Sequence, residues 1–140
     1  MKIQTKPTKL SDIKRAWYLV DVKDLILGRI AVDIAHKLMG KAKPYFVRNL
    51  DCGNFVVVIN SKYIRVTGNK EKDKQYSNYS GYPGGLKKKP LWLVRENNPA
   101  EIIRSAVLGM LPKNKLRDRV KTRLYIYPEE DYPFKDKFTK

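Results

Sequence analysis

Phe55-Val56-Val57-Val58-Ile59 is an unbroken run of five apolar residues, four of them β-branched. A strand with one wet face alternates apolar and polar side chains. A run without alternation predicts a strand buried on both faces, as in a parallel sheet covered by helices. Upstream, Trp17-Tyr18-Leu19-Val20-Asp21-Val22 is aromatic and β-branched and reads as a first strand. Between the two, Leu27, Ile30, Ala31, Ile34, Ala35 and Leu38 fall at helical spacing on one stripe. Asp24 is the expected N-cap of that helix, and Gly40 its stop. Arg29, Asp33 and Lys37 lie four apart on the other face, at the spacing of ordinary helix ion pairs.

Downstream of the run, Tyr63 to Val66 reads as a short strand before a Thr67-Gly68-Asn69 turn. Ser80 to Pro90, with its glycines and prolines, reads as a long loop. Asn98-Pro99-Ala100-Glu101 opens a helix, with a cap residue, proline at the first helical position and glutamate two residues later. That helix carries Ile102, Ile103, Ala106, Val107 and Met110. A basic helical segment over 114–121 follows, then a last strand, Leu124-Tyr125-Ile126-Tyr127. Strand, helix, strand, helix, strand predicts an α/β fold. The organisation expected is a basic N-terminal extension over 1–16, an α/β domain over 17–127 and a C-terminal tail over 128–140.

The chain has 140 residues, the size of one domain. Thirty Lys and Arg against fourteen Asp and Glu leave a net charge of +16. Such an excess repels itself unless a polyanion neutralises it, and nucleic acid is the leading partner class. One cysteine, Cys52, forms no internal disulfide and reads as a small buried residue. The first ten residues show no apolar signal segment, and no run approaches the roughly twenty residues of a membrane span. A cytoplasmic protein without membrane contact is therefore expected.

Most catalytic chemistry lacks its residues. His36 is the one histidine, placed opposite the apolar stripe, and with Cys52 alone it builds neither a zinc set nor a Cys/His dyad. Neither phosphate-loop nor dinucleotide fingerprint occurs. Thr67-Gly68-Asn69-Lys70 lacks the first glycine and the hydroxyl after lysine. No cofactor, metal or small-molecule substrate is expected, and the chain reads as a non-enzyme.

Basic residues fall in five separate groups. The first sixteen residues carry five cations against Asp12, and Lys37, Lys41, Lys43 and Arg48 stand in a stretch without an acid. Lys70, Lys72 and Lys74 precede Tyr76, Tyr79 and Tyr82, and Lys87, Lys88 and Lys89 follow them. Rings there could stack on unpaired bases while the lysines neutralise phosphates, and Gly81, Gly84 and Gly85 would let backbone approach RNA. Composition alone leaves a plain solvated loop equally open. The fifth group runs from Lys113 to Arg123, with six cations against Asp118, spread around a helix. A DNA groove reader concentrates charge beside one element; charge this dispersed fits burial in a large folded RNA.

Seven short motifs stand in order along the chain. They are Trp17-Tyr18-Leu19-Val20-Asp21, Leu27-Gly28-Arg29-Ile30-Ala31, Leu38-Met39-Gly40-Lys41-Ala42-Lys43, Asp51-Cys52-Gly53, Val66-Thr67-Gly68-Asn69-Lys70, Gly81-Tyr82-Pro83-Gly84-Gly85 and Gly109-Met110-Leu111-Pro112-Lys113-Asn114. In this order and spacing they resemble the universal large-subunit ribosomal protein thirteen family in its bacterial-type form, from Trp17 to about Tyr127. The resemblance implies a three-layer α/β/α sandwich around a small, largely parallel sheet, with long basic loops. It also implies a structural component of the large ribosomal subunit that binds its rRNA, supports early assembly and touches neighbouring ribosomal proteins. A free regulatory protein on RNA or DNA is the alternative.

By motif, the RNA-binding residues implied are Arg29, Lys41, Lys43, Lys70, Tyr82, Gly84, Gly85, Lys113 and Asn114. Charge and aromatic placement add Lys72, Lys74, Tyr76, Lys87, Lys88, Lys89, Lys115, Arg119 and Arg123. The chain departs from the family pattern at Arg117-Asp118, where Gly-Arg is usual, at Asn78-Tyr79, where Arg-His is usual, and at Tyr132, where histidine is usual. The first departure transfers the expected arginine contact to Arg119.

Overall fold

The computed structural model describes residues 7–138. Residues 1–6 of the expected basic extension and 139–140 of the tail lie outside the described residues. The unbroken apolar run forms β2 (Phe55–Ile59), the central strand of a three-stranded parallel sheet. On one side lies β1 (Trp17–Asp21), with Trp17 opposite Phe55 and Val20 opposite Val58. On the other lies β5 (Leu124–Ile126), with Leu124 opposite Val56.

Between β1 and β2 runs α1 (Leu27–Met39), which buries the stripe read from the sequence: Leu27, Ala31, Ile34, Ala35 and Leu38. Gly40 ends it in the left-handed region, with φ +71°. Its N–H donates to the Lys37 carbonyl and the Lys41 N–H to that of His36, the paired bonds of a Schellman close. The start of α1 differs from expectation. Asp24 sits in a turn at φ +57° and caps nothing. The first helical N–H, of Leu27, donates instead to the Arg65 carbonyl at 2.9 Å. The strand expected over Tyr63–Val66 is a 3-10 turn at Ser61–Tyr63 and a single parallel bridge between Ile26 and Arg65.

After β2 come α2 (Lys70–Asp73), β3 (Gln75–Tyr79), β4 (Leu86–Pro90), α3 (Leu91–Asn97), α4 (Pro99–Met110) and α5 (Arg117–Lys121). Two features differ from expectation. The loop over Ser80–Pro90 is half strand: β3 and β4 form an antiparallel hairpin, and only the residues between them make the bend. Polar, lysine-rich strands that bury little beyond Tyr76 carry no alternation, so periodicity does not reveal them. The short α3 escapes the same test by its length, though Leu91 and Val94 anchor it. Pro99 opens α4 as expected, but the Asn98 side chain makes no capping bond.

The sheet is parallel as expected, but the second α-layer of the expected sandwich is replaced. Stepping from β1 to β2 to β5 crosses the sheet in one direction, and right-handed crossovers that step one way put their helices on one face. Accordingly α1 and α4 pack together over the face bearing Val20, Val56, Val58 and Leu124, with Ile102, Ile103 and Val107 between them. The opposite face bears Trp17, Phe55 and Tyr125, and aromatic side chains of the C-terminal tail cover it. Phe134 lies 5.2 Å from the Trp17 ring and 4.7 Å from Tyr125, while Trp17 stacks on Phe55 at 4.4 Å. Burial of β2 on both faces is thus real, but helices supply one cover and the tail the other.

Candidate nucleic-acid interface

A basic surface can be a solvated, internally paired surface or an unpaired one, and ion-pair geometry separates the two. Among the described residues only Arg15, Arg95, Arg123 and Lys135 make salt bridges, to Asp51, Glu71, Asp51 and Asp131. Even the i,i+4 set Arg29, Asp33 and Lys37 forms no ion pair; the Lys37 ammonium instead lies 5.8 Å from the Tyr18 ring centre. Most of the positive charge is therefore uncompensated and faces water. Part of it gathers in two zones, and the rest, such as Lys23, Lys62, Arg65 and Arg104, is scattered over the surface.

The first is the hairpin arm. Lys70 and Lys72 lie on α2, and Lys74 precedes β3, its ammonium 5.2 Å from the Tyr76 ring centre. Lys87, Lys88 and Lys89 face Asn78, Ser77 and Tyr76 across the ladder. Alternation puts Lys87 and Lys89 on one side and Lys88 on the other, so the arm is cationic on both faces. Tyr79 and Leu86 form a cross-strand pair beside Lys88, and Tyr82 stands at the tip, 75% exposed. The bend itself is a turn from Tyr82 to Gly85, closed by a 2.9 Å bond from the Gly85 N–H to the Tyr82 carbonyl. Pro83 followed by Gly84 at φ +72° has the signature of a type II turn.

The second zone is a cleft of about 400 Å³ between the end of α1, the loop over 46–51 and the segment joining α4 to α5. Met39, Phe46, Leu50 and Met110 line it, and Lys41, Arg48 and Asn114 stand among them at its walls. Lys113 and Lys115 are exposed beside Asn114. A second, open cleft, sharing Leu50, Asp51 and Leu116, holds Arg119. Lys41 and Asn114, 73 residues apart in the chain, thus meet in one site. Arg29 does not join them: it lies at the opposite end of α1 from Met39, about 15 Å away at 1.5 Å per residue.

Several residues expected at the interface are engaged in contacts within the protein. Arg123 is buried, and its guanidinium grips the Asp51 carboxylate through two bonds of 2.6 and 2.5 Å. Burial alone would raise the Asp51 pKa, but the hydrogen bonds and charge of Arg123, the Gly53 N–H and Arg15 outweigh it and hold the carboxyl below its ordinary value. Lys43 turns inward, its ammonium donating to the Lys14 and Cys52 carbonyls at 2.5 and 2.8 Å. Tyr76 packs against the apolar core with its hydroxyl buried and unpartnered. Burial raises its pKa, with Glu101 adding and Arg95 opposing. Gly85 is required by the bend, since a Cβ there would strike Ser80 and the Tyr82 carbonyl. Arg117, where the family pattern has glycine, donates to the Leu108 carbonyl at 2.6 Å and so closes the end of α4.

Sequence reasoning missed Met39, Phe46, Leu50 and Met110 as cleft residues. Met110 reads as core on its helical spacing yet is 46% exposed, because α4 ends where the cleft opens. Arg48 stands in a recognised basic group, and only the fold sets it at the cleft.

An α/β domain with free cations on a hairpin and around an apolar-lined cleft presents the broad basic surface expected of a polyanion-binding protein. The family model described as Ribosomal protein L13 matches residues 15–133, and the chain belongs to that family. It is 45% identical over 130 residues to the large ribosomal subunit protein uL13 of Halorhodospira halophila, covering 93% of this chain and 92% of that one. Against the uL13 protein of Aquifex aeolicus the identity is 46% over 131 residues, covering 94% and 91%. Against that of Mycobacterium marinum it is 40% over 129 residues, covering 92% and 88%.

Proposed function

We propose that this protein is a structural, non-catalytic component of the large ribosomal subunit in the cytoplasm, binding large-subunit rRNA and supporting early subunit assembly. The observation that carries this reading is the unpaired charge of the hairpin arm and the cleft, in a chain that aligns over nearly its full length with large-subunit proteins. The α/β core supplies folding energy, and many modest contacts from lysine, arginine and exposed tyrosine supply RNA affinity. The RNA-facing set is Lys41, Lys70, Lys72, Lys74, Tyr82, Lys87, Lys88, Lys89, Lys113, Asn114, Lys115 and Arg119, with Arg48 and Tyr79 added by their exposure and placement. Arg29 and Gly84 serve separate contacts away from the cleft. Neighbouring ribosomal proteins complete the environment.

Sedimentation of a native lysate through a sucrose gradient, before and after a high-salt wash, tests this. The protein should track with the large subunit and survive the wash. Recovery at the top of the gradient, or release at the first rise in salt, would support a free RNA- or DNA-binding protein instead.

A further inference from the structure

The cleft beside Asn114 has a composition that general phosphate binding does not require. Lysines that only neutralise a backbone need no apolar lining, yet here Met39, Phe46, Leu50 and Met110 supply one. The cleft, about 400 Å³, is within the range of small-ligand pockets. Phe46 offers a ring and the two methionines polarizable thioethers, surfaces that suit a flat aromatic guest. Its polar groups are of two kinds. Asp51 and Arg117 also line it, but both are engaged, Asp51 with Arg123 and Arg15, and Arg117 with the Leu108 carbonyl. The side chains of Lys41, Arg48 and Asn114 make no hydrogen bond or ion pair among the described residues. The side chains with no bond at all are thus two cations and one amide, the last with both donor and acceptor, while the buried Arg117 Nε also lacks a partner.

We infer that this cleft receives one unpaired nucleobase of the bound RNA. The base enters between Phe46, Met39 and Met110, the Asn114 amide pairs with its polar edge, and Lys41 and Arg48 hold the flanking phosphates. This rests on the RNA-binding reading and adds to it a specific subsite. An apolar side chain from a neighbouring protein is the competing occupant. The two uncompensated cations at the rim favour a guest that brings its own negative charge.

The test uses the full chain with a large-subunit rRNA transcript, measuring affinity against salt and probing the RNA with dimethyl sulfate and carbodiimide. Met110→Trp fills the cleft from its exposed wall without removing a charge. It should weaken binding by about five- to a hundred-fold, the range for loss of one stacked base, with the salt slope unchanged. One unpaired base protected by the wild-type protein should become reactive, while the rest of the footprint persists. Arg48→Ala should instead flatten the log–log salt slope by about 0.7, one phosphate on single-stranded RNA. If circular dichroism shows that Met110→Trp misfolds, Asn114→Ala, which has no protein partner to lose, must give the same deprotection. Unchanged affinity and footprint in the folded cleft variant would overturn the inference and leave RNA binding standing; failure of the wild-type chain to bind the transcript would overturn both.

Discussion

Asp51 collects two arginines from distant parts of the chain and thereby ties the segment after α1 to the entrance of β5. Replacing it by asparagine leaves Arg123 buried without a counter-charge. The expected cost is about 3 kcal/mol, the lower end for breaking a buried pair, because the Arg15 side opens to solvent. Since the folded carboxyl lies below its ordinary 3.8, this stabilisation is complete above that value and is lost as pH falls through the depressed folded value. Urea unfolding should therefore show a constant gap between wild type and Asp51→Asn near neutrality, shrinking below about pH 4. Tyr76 behaves in the opposite way. Its hydroxyl is buried without a partner, so Tyr76→Phe should leave stability unchanged or raise it by up to about 1 kcal/mol. Its rRNA affinity should match wild type, since the ring faces the core; a large drop in affinity would return Tyr76 to the interface.

At the scale of elements, the proposed role of the hairpin separates folding from binding. Its strands pair with each other and with no strand of the main sheet, and their lysines are exposed. Replacing Lys87, Lys88 and Lys89 together by alanine should lower rRNA affinity. The salt slope should fall by about two to three, close to one for each phosphate no longer neutralised. Thermal stability should remain within about 0.5 kcal/mol, as for surface substitutions elsewhere. A collapse of the melting transition would make the arm part of the core. The amphipathic α1 is the contrasting element. Its apolar period is legible at Leu27, Ala31, Ile34, Ala35 and Leu38, because burial of one helical face writes itself into spacing. The hairpin buries little and leaves no such trace.

For the molecule as a whole, the tail closes the face of the sheet that the helices cannot reach. Beyond Phe134 and Phe138, the chain leaving β5 accepts bonds from the backbone of β2's exit, with Ser61 donating to Tyr127 at 3.1 Å. Removing residues 128–140 should expose Trp17, Phe55 and Tyr125 and cost roughly 3 kcal/mol or more, the burial of one to two large side chains. In a Trp92→Phe background, the remaining Trp17 fluorescence should shift to the red on truncation. An unshifted spectrum with wild-type stability would mean the tail covers nothing of consequence.

The α/β class, the parallel central strand, the main helices and the polyanion partner all follow from the order and kind of residues along the chain. Each of these is a local or additive property: periodicity along one element, or the sum of charges. Which cations are free is settled by tertiary contacts alone. Lys43, Arg119 and Arg123 look alike in the chain, yet one is tied to carbonyls, one stands exposed at a cleft and one is buried on Asp51. The same holds for the meeting of Lys41 with Asn114 and for the tail in place of a second helical layer. Contacts between residues tens of positions apart depend on crossover direction and on where helices end. No window of sequence contains either.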